Sequence, residues 1–160
     1  MPNDLYDQDI LAWSRHQADL LRRVARGERV NEVDWEHVVE EIEDAGLSQL
    51  NAVQRYLRLM LVHLLKVHGW PESPAVGHWR GEIMSFQADT AQRFAPSIRQ
   101  KIDPDRLYHL AREQVSAASY DGRGPLPSPE TCPFTLDQLL TEHPSVLQPS
   151  LADPTSGPPA

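Results

Sequence analysis

Apolar residues recur along the first two thirds of the chain in steps of three and four, the spacing of amphipathic helices. Between residues 7 and 26 the stripe is Ile10, Trp13, Leu20, Leu21 and Val24, with Gln17 as its one polar position. Asp4 or Asp7 can cap this helix, and Gly27 can end it in a left-handed turn. A short linker, GERVNEV, then implies antiparallel packing against the next helix. Asp34 caps that second helix, whose stripe reads Val38, Ile42, Gly46, Leu50, Val53, Leu57, Met60, Leu64 and Val67. The unbroken pattern predicts one helix to about His68, roughly 50 Å long at about 1.5 Å per residue. Glycine in a helix costs about 1 kcal/mol relative to alanine. Gly46, inside the stripe, therefore reads as a close approach or a bend. A break there, with Ser48 as a new cap, is the alternative.

Pro71 and Pro74 punctuate the next turn. Ser73 ahead of Pro74 reads as a cap followed by proline at the first helical position, opening a third helix to about Phe94 that buries Trp79, Ile83, Phe86 and Phe94. Pro96 interrupts it, and a short turn continues through Ile102. Asp103 followed by Pro104 repeats the cap-and-proline signal and opens a fourth helix to about Tyr120, with Leu107, Leu110, Ala111 and Val115 inward. After the loop DGRGPLPSPETCP, Thr135 caps a short helix, LDQLL. From His143 the chain is rich in Pro, Ser and Gly, the composition of a disordered tail, so a chain ending near Leu140 should melt unchanged. No strand-like alternation is present. The pattern defines an all-α bundle of four main helices, with a long central second helix and a short C-terminal helix. It forms a single domain over residues 1–142, with the tail over 143–160.

The 160 residues suit one domain with a sizeable core, and 40% hydrophobic with 24% charged residues is ordinary for a globular protein. A net charge of −8 argues against nucleic acid, which needs a basic stripe, and against an anionic membrane surface. Cys132 is the single cysteine, which rules out an intrachain disulfide. It precedes Pro133 in a loop without a helix N-terminus or basic cluster to activate it, and reads as a packing residue. The start MPNDLYDQD is unlike a signal peptide, and the longest apolar run, LMLVHLL, is far short of the roughly 20 residues that span a bilayer. A cytoplasmic protein is expected.

Candidate chemistry concentrates in DWEHVVEEIEDAG, which carries six carboxylates and no Lys or Arg. His37 lies one helical turn from Glu40 and Glu41, the spacing by which bundles ligate metals. His63, at the edge of the apolar stripe, is a further candidate ligand or base. His37, Glu41 and His63 are therefore the candidate metal residues of a metal-dependent hydrolase. No second Glu-x-x-His motif accompanies them, no H-E-x-x-H, G-x-S-x-G or phosphate loop is present, and no catalytic residue or cofactor is assigned. The competing reading is structural. Asp34 and Glu36 meet the positive end of the helix dipole. Arg22, Arg23, Arg26 and Arg29 fall beside Glu36, Glu40 and Glu43 in an antiparallel hairpin, and His63 is a satisfied, partly buried residue. His68, His78, Trp70 and Trp79 read as exposed residues near the second turn, a His/Trp-lined pocket there being the alternative.

Five segments in order, YDQDILAW, DWEHVVEEIEDAG, LRLMLVHLLK, HWRGEI and CPFTLDQLL, resemble the bacterial domain-of-unknown-function family 29. The resemblance runs from about Tyr6 to Leu140 and includes Trp13, Glu41, Gly46, His63, Trp79 and Cys132. It departs at Val67 and His68, where relatives commonly continue with an aromatic residue, which bears on the geometry of the turn. The family has no established biochemical role, so the resemblance implies an all-helical fold and supplies no activity. Two functions compete. One is a module that self-associates or docks a protein partner through a part of the long helix its shorter neighbours leave uncovered, a homo-oligomer being the commonest solution. The other is the metal-dependent hydrolase, for which ligand-like residues are few.

Overall fold

The computed structural model describes residues 2–153 and 155. Its helices are α1 (Pro2–Gln8), α2 (Ile10–Ala25), α3 (Trp35–Gly69), α4 (Val76–Arg93), α5 (Pro96–Arg99), α6 (Pro104–Ser116), α7 (Leu136–Thr141) and α8 (Pro144–Leu147), followed by a 3₁₀ turn, Gln148–Leu151. No strand occurs among the described residues beyond an isolated bridge between Tyr120 and Arg123. The all-α reading holds. The chain forms two compact units, residues 1–48 and 49–160, whose boundary falls within α3.

The expected first helix is divided at Asp9. Its carboxylate accepts from the Ala12 amide at 3.0 Å and caps α2, while Asp7 lies inside α1. Gly27 adopts φ +85° just past α2, the left-handed conformation that glycine reaches without a Cβ clash. Helix α3 runs unbroken through Gly46. The first unit packs Trp13, Leu20, Val33 and Val38 into a small core flanked by Tyr6, Leu21, Val24 and Val30, whereas Ile10 is exposed.

The second unit carries the larger core. Val53, Leu57, Met60 and Leu64 of α3 are fully buried, joined by Ile83 of α4, Tyr108 and Ala111 of α6, and Leu139 of α7. Asp103 caps α6, and Thr135 with Gln138 forms a reciprocal capping box on α7. Three expectations are corrected here. Helix α4 starts at Val76 and not after Ser73, whose hydroxyl instead accepts from the Ala75 amide. Helix α6 ends at Ser116, and Leu110 faces solvent. The third correction concerns the tail: residues 144–151 are helical, and Leu147 and Leu151 are buried, so the boundary at residue 143 does not mark the end of the packed chain. Of the tail, residues 154 and 156–160 lie outside the described residues.

Trp70 is buried, not an exposed turn residue, and Trp79 is buried as the stripe of the third helix predicts. Trp70 donates its indole N–H to the Arg123 carbonyl at 2.9 Å, and both rings pack edge-on against Tyr120. Gly69 ends α3 against Pro125, where an added Cβ would lie 2.8 Å from the proline Cβ, so only glycine fits that crossing. Cys132 is buried and burial pushes its thiol up to about 12, which makes it inert and structural as expected.

Candidate functional site

The acidic segment was the chemical focus of the sequence, and its first turn anchors a polar and aromatic cluster. Asp34 is central. Its carboxylate accepts from the Trp13 indole N–H at 3.1 Å and from His37 Nδ1 at 2.7 Å, while its own amide donates to the buried Gln17 side chain at 2.9 Å. Gln17, the one polar entry in the α2 stripe, is thus a buried acceptor for the entry to α3. Tyr6 stacks on His37 with ring centroids 3.9 Å apart and donates its hydroxyl to Glu41 at 2.7 Å. Its ring also meets Trp13 edge-on. Burial works against the Asp34 charge, but the bonds from His37 and Trp13 outweigh it and hold the carboxyl below its ordinary range. The Glu41 hydrogen bond, assisted by burial, pushes the Tyr6 hydroxyl up to about 12.

The three candidate metal residues are not brought together. His37 is held by Asp34 and Glu41 by Tyr6, so both are committed to closing the first unit. His63 belongs to the second unit, roughly six turns further along α3 at about 3.6 residues per turn. There its Nδ1–H donates to the Leu59 carbonyl at 2.8 Å and its ring lies 5.3 Å from Phe86. Among the described residues no group of three His, Cys, Asp or Glu side chains is placed to hold an ion. The carboxylates do not meet the arginines either. Arg22 pairs with Asp19, and Arg23 and Arg26 both pair with Glu28, all exposed. The physical reason is local. The loop after Gly27 returns along α2, burying Val33 beside Leu20 and Trp13, so α3 begins opposite Trp13 and Gln17 and leaves the arginines behind.

The two histidines predict opposite pH responses. The Asp34 hydrogen bond holds His37 above the ordinary imidazole value despite some burial. Its contribution to stability is therefore full below about pH 6.5 and is lost as pH rises through its folded pKa. Burial pushes His63 below that value, so the unfolded chain binds the proton more readily. Stability from His63 is full above about pH 6.5 and falls as pH drops toward its folded pKa. Imidazole proton NMR should show His37 titrating above, and His63 below, a free histidine. Coincident titration would contradict both environments.

What the segment leaves unpartnered is more informative than what it binds. Trp35, Val39, Ile42 and Leu47 are 54%, 52%, 68% and 54% exposed, and Gly46 has open space beyond its Cα. At about 100° per residue, Trp35, Val39, Ile42 and Gly46 fall within about 60° of one another, on the stripe that further along supplies Val53, Leu57, Met60 and Leu64. Periodicity places Ile42 and Gly46 on the apolar stripe, and no described neighbour covers them. Glu36, Glu40 and Glu43 flank this bare stripe on one side, and all three are exposed. Residues 1–48 hold 12 acidic and 5 basic residues, a net −7 of the chain's −8.

A complementary surface lies in the second unit. Arg55 and Arg58 of α3, Lys101 and Arg106 surround a recess of about 200 Å³ together with Leu107 and the exposed Leu110. Asp103 is the one carboxylate in its lining, and it is engaged in capping α6. Arg58 donates to the Gln114 side chain, and no described carboxylate pairs with any of the four cations. In the sequence Arg55 and Arg58 show only as an i,i+3 pair of arginines on α3, the spacing that brings both to the recess with Lys101.

These features define an all-helical protein whose chemistry-bearing residues build surfaces and a structural cluster. The sequence profile described as "Domain of unknown function DUF29" matches residues 5–143, and the chain belongs to that family. An alpha-helical protein of unknown function from Rhodospirillum rubrum, known from a 1.45 Å crystal structure, is similar to it at 26% identity and a TM-score of 0.64. The match covers 92% of this chain and 95% of that one. No curated protein matches. Among the described residues no helix is long and apolar enough to cross a membrane.

Proposed function

We propose that the protein is a self-assembly module in which the bare face of α3 in the first unit of one copy docks on the basic recess of another copy. The observation that carries this is the stripe of Trp35, Val39, Ile42 and Gly46, a continuation of a core-forming pattern with nothing over it. A partner for that stripe needs apolar contact bordered by positive charge, because Glu36, Glu40 and Glu43 run alongside it. Arg55, Arg58, Lys101 and Arg106 around Leu110 have that character, and every copy carries both surfaces. Two such contacts close a dimer, the commonest assembly of soluble chains. A single buried, reduced cysteine is in keeping with a cytoplasmic setting.

Sedimentation velocity tests this reading. The wild-type chain should sediment as a dimer that weakens with added salt, as a charge-bordered contact must. Ile42→Glu, which alters an exposed side chain, should sediment as a monomer and keep its helical circular dichroism. A wild-type monomer at tens of micromolar, or a dimer indifferent to Ile42→Glu, would overturn it.

A further inference from the structure

The C-terminal segment, once folded, forms one wall of a half-open pocket. Between the end of α3, the outer face of α4 and residues 143–152 lies a cavity of about 560 Å³, entirely within the second unit. Small-molecule sites are typically about 300–1,000 Å³, mostly apolar, with a few polar groups that fix orientation. This cavity has that make-up. Val67, Ile83, Met84, Leu126, Pro144 and Pro149 supply an apolar lining, and no carboxylate contributes to it.

Its walls are held in place from two sides. Gln87 of α4 donates to the carbonyls of Leu139 and Glu142 at 3.0 and 2.8 Å, and Gln148 donates to the Leu64 carbonyl at 3.1 Å. Buried Leu147 and Leu151 fasten the same segment to the core. The space is therefore bounded by fixed backbone on the side that composition alone assigns to a tail.

One charge, a cation, lines the cavity. Arg80, on α4, lines the cavity and no described carboxylate pairs with it. His143 accepts the Ser145 amide on Nδ1 at 3.2 Å, which puts its proton on Nε2 and leaves that N–H as a donor. His68 is committed through Nε2–H to the Pro127 carbonyl at 2.7 Å. An unpaired guanidinium and an imidazole donor beside an apolar chamber are the complement of a carboxylate on an apolar body.

The geometry points to a binding site for a single-chain amphipathic carboxylate, with its head at Arg80 and His143 and its body against Ile83, Met84, Leu126 and Pro149. This site is independent of the self-assembly surfaces. It uses none of their residues, so its occupancy can be measured on a monomer and on a dimer alike.

Native mass spectrometry and thermal melts of the full chain with dodecanoate, dodecanol and dodecylamine test it. Dodecanoate should bind one per chain and raise the melting temperature with its concentration. Dodecanol should bind at least tenfold more weakly and dodecylamine more weakly still. Arg80→Gln, an exposed position, should fold normally and lose at least tenfold in dodecanoate affinity with dodecanol unchanged. Met84→Trp, which fills the chamber, should lose both. Vesicles of phosphatidylglycerol should not sediment the protein, since the chamber suits one chain and not a bilayer. Absence of saturable dodecanoate binding, uptake independent of head group, no effect of Arg80→Gln, or binding to vesicles alone would overturn the proposal.

Discussion

A chain ending after Glu142 should melt at least roughly 12 °C below the full-length protein. The cut removes Leu147 and Leu151, both essentially inaccessible, together with buried Pro144, and strips the Gln148 side chain from the Leu64 carbonyl. Burying a leucine contributes about 1.5–3 kcal/mol, so the two together contribute about 3–6 kcal/mol. For a domain near 100 residues each kcal/mol moves the melting temperature by about 4–8 °C. Equal melting of the Glu142 and full-length chains, followed by circular dichroism, would show that the segment does not pack as described.

Leu57→Ala should cost about 2–5 kcal/mol, the range for emptying a leucine-sized volume in a close-packed core. Leu57 sits in the middle of the buried stretch of α3 with no accessible surface, beside fully buried Val53, Met60 and Leu64. Chemical denaturation should show a lower midpoint with an unchanged slope. The matched substitution Ile42→Ala, on the same stripe, should change the stability of the monomer by less than about 0.5 kcal/mol, as exposed positions do. Equal losses at the two positions would mean that something covers Ile42 within the chain.

That pair of residues also marks how far the sequence could be read. Steps of three and four placed Ile42 and Leu57 on one helical face, and α3 runs unbroken as the pattern required. Periodicity reports which residues share a face, not whether a neighbour arrives to cover it, so the stripe alone could not say which of Ile42, Gly46 and Leu57 would be buried. Local chemistry was legible where it is self-contained: Gly27 in the left-handed region, Asp103 ahead of Pro104, and the Thr135 capping box. The break at Asp9 was missed because no glycine or proline marks it, only a carboxylate turned back to the Ala12 amide. The arginines went to the wrong carboxylates because ion-pair partners depend on the path of the loop, and buried Val33 sets that path. In the tail, abundant Pro and Ser masked the one signal present, Leu147 and Leu151 at a spacing of four. The cluster of Tyr6, Trp13, Gln17, Asp34 and His37 was visible only as scattered residues, since a 35-residue separation joins Tyr6 to Glu41.

Exchange of charge between copies tests the assembly most directly. Glu40→Lys with Glu43→Lys makes the bare face of α3 basic, and Arg55→Glu with Arg106→Glu makes the recess acidic. All four side chains are exposed, so neither double variant should lose its fold. Each alone should sediment as a monomer, because like charges now face each other across the contact. Mixed in equal amounts, the two should form a heterodimer at twice the chain mass, since each face of one meets its opposite on the other. A mixture that stays monomeric, or double variants that dimerise as well as the wild type, would contradict the account.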